Sequence, residues 1–220
     1  RRGVPVFVLT RRTTSDLAPV EELDGLTIRR LPPTGFPRFG KHLMMLPAYS
    51  ELRKRKDEYD VIYVCGLRVA GIPAVLAARH SGKVCILRAE SRGEFSGDYI
   101  WQSPDARIRN MPFKPLVRLY LRWRNRLLHQ APAFVSISSD IHAEFLKEGI
   151  PESRIRLIQN GVDTSRFEPA SPELRRQRRS ELGLPEQITF VYTGKLNKGK
   201  GLEMLLRAWK NLAAERKDCH

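Results

Sequence analysis

A chain of 220 residues, 41% hydrophobic and 29% charged, can bury a real core, which excludes a disordered segment. No stretch approaches the roughly 18 to 20 apolar residues of a membrane span, and no apolar signal-peptide core opens the chain. The net charge of +15 favours anionic partners (nucleotides, nucleic acid or acidic lipid) without choosing among them.

The cysteines, Cys65, Cys85 and Cys219, are odd in number and not closely paired, which points to a reducing, cytoplasmic compartment. Cys65 and Cys85 sit in the apolar runs VIYVCG and KVCILRA and read as small core residues. With no C-x-x-C and five scattered histidines, no metal site is expected. The chain opens on Arg1 rather than Met, so we expect an upstream segment.

In chain order, VPVFVL (residues 4–9) predicts a strand, and GLTIRRL (25–31) a second. A helix over 42–56 should be kinked or split by Pro47. DVIYVCG (60–66) is continuously apolar, as in a strand buried on both faces of a parallel sheet. A helix over 69–80 follows, then the strand KVCILRA (83–89) and a long helix over 115–130. AFVSIS (133–138) is the next strand. The helix after it, 139–148, has a hydroxyl to cap its start and Gly149 to stop it. RIRLIQ (154–159) and ITFVYT (188–193) complete the strands. The last helix, 202–214, aligns Leu202, Leu205, Leu206, Trp209 and Leu212 on one face.

This alternation predicts an α/β fold, a Rossmann-like parallel sheet with helices on both faces. Ligands of such sheets bind beyond the carboxyl ends of the strands. The loops at residues 66–68, 90–104, 138–140, 160–163 and 194–201 are therefore candidate sites. Between residues 168 and 187 the composition turns proline-rich and basic, as in a surface linker with one short charged helix. The expected organisation is a first domain over 1–168, a linker over 169–187, and over 188–220 the opening βα unit of a second domain.

The stretch YTGKLNKGKG (192–201) fits the P-loop pattern G-x-x-x-x-G-K with Gly194, Gly199 and Lys200, but Gly201 stands where Mg²⁺ needs a hydroxyl. Without magnesium, Lys195, Lys200 and the free amides of a helix N-terminus can still hold a diphosphate. A plain turn with solvated lysines remains the alternative.

Upstream, IRLIQNGVDTSRFEP ends a strand in Asn160-Gly161-Val162-Asp163, with Phe167 beyond it. Taken with the G-K-x-x-x-x-K-G of Gly194, Lys195, Lys200 and Gly201, this resembles the retaining glycosyltransferases of family 4. They have the two-Rossmann-domain (GT-B) fold. The likeness is specific over residues 134–212 and looser elsewhere. It implies that Lys195 and Lys200 bind the diphosphate of a nucleotide-sugar donor, with Gly194 and Gly201 shaping the loop. It places Ser138, Asn160 and Gly161 near the interdomain cleft. It implies transfer with retention to a glycan or lipid-linked acceptor, with no metal cofactor, the leaving phosphate helping to deprotonate the acceptor. On this alignment the first strand and its Gly-rich loop are absent, as is the later E-x7-E carboxylate region, so the fragment is expected to be inactive alone. Lys195 replaces the usual arginine, keeping charge but losing the planar fork.

The loop ESRGEFSGDY holds Glu90, Glu94 and Asp98. Glu90 is the candidate to contact an acceptor hydroxyl; the plainer reading makes all three solvated loop acids. In the helix over 115–130, Leu116, Leu119, Tyr120, Trp123 and Leu127 form an apolar stripe expected to face inward. Arg118, Arg122 and Arg126 line another face. That helix reads as ordinary sheet packing or as a contact to the anionic inner membrane face. Two rivals stand beside the transferase: a non-catalytic basic module for nucleic acid or anionic lipid, and another GT-B enzyme such as a sugar epimerase or phosphorylase. Nucleic acid is the less expected partner.

Overall fold

The computed structural model describes residues 3–36, 40–102, 110–196, 198–216 and 218. Arg1, Cys219 and the end of the loop expected over 90–104 lie outside them. The chain divides into two compact units, residues 1–160 and 161–220.

The first unit begins with a three-stranded sheet in the order β1-β3-β2: β1 (Phe7–Arg11), β2 (Val20–Leu23) and β3 (Leu26–Leu31). β1 and β3 run parallel, with Val8 opposite Ile28. β2 and β3 form an antiparallel hairpin closed by the pair Leu23 and Leu26. Its two-residue turn, Asp24-Gly25, has both φ angles positive (52° and 76°), as the right-handed strand twist requires. β2 is missing from the strands expected above. Its run VEEL carries two carboxylates and lacks an apolar signal, although Asp-Gly is itself a hairpin cue.

α1 (Gly40–Leu43) and α2 (Met45–Lys54) replace the single helix expected over 42–56. The break falls at Met44, and Pro47 lies in the first turn of α2, where a missing N–H costs nothing.

Four parallel strands follow in the order β4-β5-β6-β7: β4 (Val61–Cys65), β5 (Val84–Arg88), β6 (Ala133–Ser136) and β7 (Ile155–Leu157). They are joined by α3 (Gly71–Ser81), by α4 (Asp98–Trp101) with α5 (Lys114–Leu128), and by α6 (Ser139–Lys147). Ile62 and Val64 of β4 are buried, whereas Val61, Tyr63 and Cys65 are exposed. This corrects two expectations: β4 is buried on one face, and of the two cysteines only Cys85 is a core residue. Among the described residues β4 pairs in the sheet with β5 alone, and on its other face Val61 and Tyr63 stay about half exposed (48% and 49%).

Phe95, Phe134 and Phe145, all fully buried, meet edge to face with centroids 5.4 to 6.1 Å apart. Each contributes about 1.5–3 kcal/mol through burial. Phe95 belongs to the loop after β5, so the core reaches directly under that loop.

In the second unit, α7 (Pro172–Glu181) is the charged helix expected in the linker; Ser171 caps it and none of its residues is buried. α8 (Leu202–Glu215) is the last helix. Of the strand expected over 188–193, only Ile188 forms a bridge, through its amide to the Asp218 carbonyl at 3.1 Å. The segment has no ladder partner among the described residues. Phe190 packs edge-on against Trp209 at 5.5 Å, while Leu205 and Leu206 stay exposed.

Candidate functional site

In the first unit, the strands β4 to β7 all end at one edge. Glu90 stands just past β5 with its side chain 42% exposed. Arg88 Nε lies 3.5 Å from Glu90 Oε1, and Arg88 Nη2 donates to Asn160 Oδ1. One guanidinium thus brings together two residues singled out from the sequence, Glu90 and Asn160. Ser138 begins α6 as its cap, its Oγ accepting from the Ile141 amide at 3.4 Å. Gly161 opens the second unit.

Behind Glu90 lies a layer of buried charge. Glu94 is only 4% exposed, which corrects its reading as a solvated acid. Its carboxylate accepts from the Leu67 amide at 2.8 Å and from Ser91 Oγ at 3.1 Å, clamping the loop after β4 to the loop after β5. Arg68 Nη2 donates to the same Ser91 hydroxyl at 2.9 Å, and the guanidinium stacks on Tyr99 at 4.2 Å. Glu144, from α6, accepts from the amides of Gly93 (2.6 Å), Ser96 (2.9 Å) and Phe95 (3.1 Å). From α5, Arg124 Nη2 and Asn125 Nδ2 both donate to the Phe95 carbonyl, at 2.6 and 2.9 Å. Burial pushes the pKa of Arg124 down, while Tyr99 and Tyr120 oppose the shift.

These partners fix residues 93–96 through their own backbone, so Glu90 projects from a held frame. Glu144 and Arg124 were missed in the sequence. The available signal was a charge on an apolar helical face: Glu144 beside Ile141 and Phe145, Arg124 beside Leu121 and Leu128. Arg124 also sets the rotation of α5 and corrects the stripe expected above. Leu127 is buried and Tyr120 half-buried, but Leu116, Leu119 and Trp123 are exposed.

In the second unit, Lys195 and Lys200 are both exposed. Lys200 ends a short 3₁₀ turn just before α8. Gly201 is the residue before the helix, at φ 68°, a conformation costly for any residue with a Cβ. At Gly194, a Cβ would lie 2.7 Å from the Tyr192 hydroxyl, which donates to the Lys195 carbonyl at 3.3 Å. The two glycines thus shape a loop that ends at the positive end of a 14-residue helix, with Lys200 beside it. Among the described residues, no three His, Cys, Asp or Glu side chains gather to hold a metal ion.

A model of Glycosyltransferase Family 4 matches residues 1–166. Among curated proteins, the D-inositol 3-phosphate glycosyltransferase of Nocardiopsis dassonvillei is 30% identical, over 94% of this chain and 48% of its own length. That of Saccharomonospora viridis is 28% identical over the same shares. The chain spans about half the length of the curated relatives it matches. Among solved structures, Anabaena HepE in complex with UDP and glucose superposes with a TM-score of 0.62 at 20% identity, over 89% of this chain and 46% of that one. The HepE complex with UDP-glucose gives 0.61 at 19%, over 87% and 45%. These likenesses establish the GT-B type of fold.

Proposed function

This chain belongs to glycosyltransferase family 4, and on that premise we propose that its protein transfers a sugar, with retention, from a nucleoside diphosphate sugar to an acceptor hydroxyl. The observation that carries the donor side is the loop from Gly194 to Gly201, where two exposed lysines flank a turn into α8. Lys195, Lys200 and the helix N-terminus supply the positive charge a diphosphate requires, so this reading includes no resident metal. HepE has been solved with UDP, which makes a uridine donor the first to test.

On the acceptor side, Glu90 would accept a hydrogen bond from the attacking hydroxyl and orient it. In the transfer, the bond between the sugar's anomeric carbon and the diphosphate oxygen breaks. A bond from that carbon to the acceptor oxygen forms on the same face. The acceptor proton passes to the leaving diphosphate, whose charge Lys195 and Lys200 stabilise. No enzymic nucleophile is required; positioning carries the rate, which is the use of a loop held by Glu94, Glu144 and Arg124. The acceptor class we propose is a glycan or lipid-linked sugar. An inositol phosphate belongs in the same assay because the curated relatives are named for it.

The test is sugar transfer by the intact protein from UDP-glucose and related donors in the presence of a chelator. Turnover that survives chelation, and falls with both Lys200→Ala and Glu90→Gln, supports the reading. Turnover abolished by chelation and restored by Mg²⁺ would overturn its metal-free part.

A further inference from the structure

α5 has the sequence KPLVRLYLRWRNRLL: one lysine, four arginines and no acidic residue. Only Arg124 of these cations is turned into the core. Its anchoring to Phe95, with Leu121, Leu127 and Leu128 buried beside it, leaves the opposite side of the helix uncovered among the described residues. That side presents Leu116 (63% exposed), Leu119 (63%) and Trp123 (52%), with Phe113 (64%) at the helix start. Arg118, Arg122 and Arg126 run alongside, all exposed, and Arg118 stacks over Trp101 at 5.7 Å.

We propose that this face of α5 docks the protein onto an anionic lipid bilayer, with Leu116, Leu119 and Trp123 entering the interface and Arg118, Arg122 and Arg126 meeting lipid phosphates. Large exposed apolar side chains interleaved with arginines and free of acids are what a charged membrane surface selects. A second copy of the chain fits less well, because pairing the face with itself brings its arginines against one another. Among the described residues, no helix is long and apolar enough to cross a membrane, so the contact is one of surface attachment.

The position of the face gives it a use. Arg124 and Asn125 of the same helix hold the Phe95 carbonyl, so α5 leads from the lipid surface directly to the frame that carries Glu90. A membrane-borne acceptor would be delivered to the edge where β4 to β7 end. The lipid contact itself does not depend on the donor assignment.

The test is co-sedimentation of the protein with vesicles of phosphatidylcholine and phosphatidylglycerol in equal parts, and with phosphatidylcholine alone. Binding should require the anionic lipid and weaken in high salt. Arg118→Gln with Arg122→Gln should lower partitioning by about tenfold or more. Leu116→Ser with Leu119→Ser and Trp123→Ser should abolish it while far-UV circular dichroism is unchanged. Arg175→Gln with Arg176→Gln, on the basic α7, whose one large apolar side chain is Leu174, should leave it unaltered. Equal binding to both vesicle types, no binding to either, or equal loss in the α7 variant would overturn the proposal. So would a concentration-dependent dimer, without vesicle binding, that the Leu116, Leu119 and Trp123 variant dissolves.

Discussion

Arg124, fully buried in α5, donates from Nη2 to the carbonyl oxygen of Phe95 at 2.6 Å. This one contact fixes two things. It holds the loop after β5 from beneath, and it sets which side of α5 faces the core. Glu144 holds the neighbouring amides of the same loop, so two buried charges of opposite sign grip a short run of backbone from two helices.

The first prediction concerns that grip. Glu144→Ala leaves the amides of Gly93, Phe95 and Ser96 without their acceptor and should lower stability by about 3 kcal/mol or more. Glu144→Gln keeps one oxygen acceptor and should cost about half as much. Denaturant midpoints give the energies. Hydrogen exchange should accelerate first at those three amides; uniform acceleration across the first unit would contradict a local clamp.

A second prediction follows from His129, whose ring meets Phe95 edge-on at 5.2 Å. Burial pushes its pKa below the ordinary 6.5; a backbone hydrogen bond at Glu148 opposes the shift and Arg154 adds to it. The folded state therefore favours the neutral ring. This contribution to stability is complete above pH 6.5 and is lost as pH falls through the depressed value. A proton NMR titration should place the His129 midpoint below 6.5; a midpoint at or above that value would refute the burial argument.

The cysteines supply a third. Burial pushes the Cys85 thiol up to about 12, whereas Cys65 is exposed on the open face of β4. At mildly alkaline pH, iodoacetamide should label Cys65 in the native protein and spare Cys85 until the chain is unfolded. Peptide mapping separates the sites, and comparable labelling of both would mean that the β4 to β5 region opens freely.

The order of elements was legible in the sequence, because buried parallel strands and amphipathic helices leave strong periodic signals. The loop proposed for the donor stands out in the sequence only through the spacing of Lys195 and Lys200. The frame around Glu90 was not. Arg124 and Glu144 act through backbone groups far away in the chain, at |i−j| of 29 for Arg124 to Phe95 and 51 for Glu144 to Gly93, so no local pattern announces them. The face of α5 was misjudged for the same reason: an apolar count cannot foresee that an arginine will be buried because a carbonyl awaits it. β2 was lost because Glu21 and Glu22 hide a strand whose pairing is set by its turn.

Lys195 yields a fourth prediction. The resemblance to family 4 gives arginine as the usual residue there, and a guanidinium can bond phosphate through two parallel donors where an ammonium acts as a point charge. Lys195→Arg should tighten nucleotide diphosphate binding by about fivefold, corresponding to ~1 kcal/mol. Weaker binding in this variant would show that the loop is shaped for the shorter contact of lysine.

The central claim is that the loop before α8 holds the donor diphosphate. Isothermal titration of UDP-glucose into the intact protein and into its Lys200→Ala variant tests it most directly, with circular dichroism confirming that the exposed substitution leaves the fold intact. Lys200→Ala should abolish measurable binding. Unchanged affinity in the variant would contradict it.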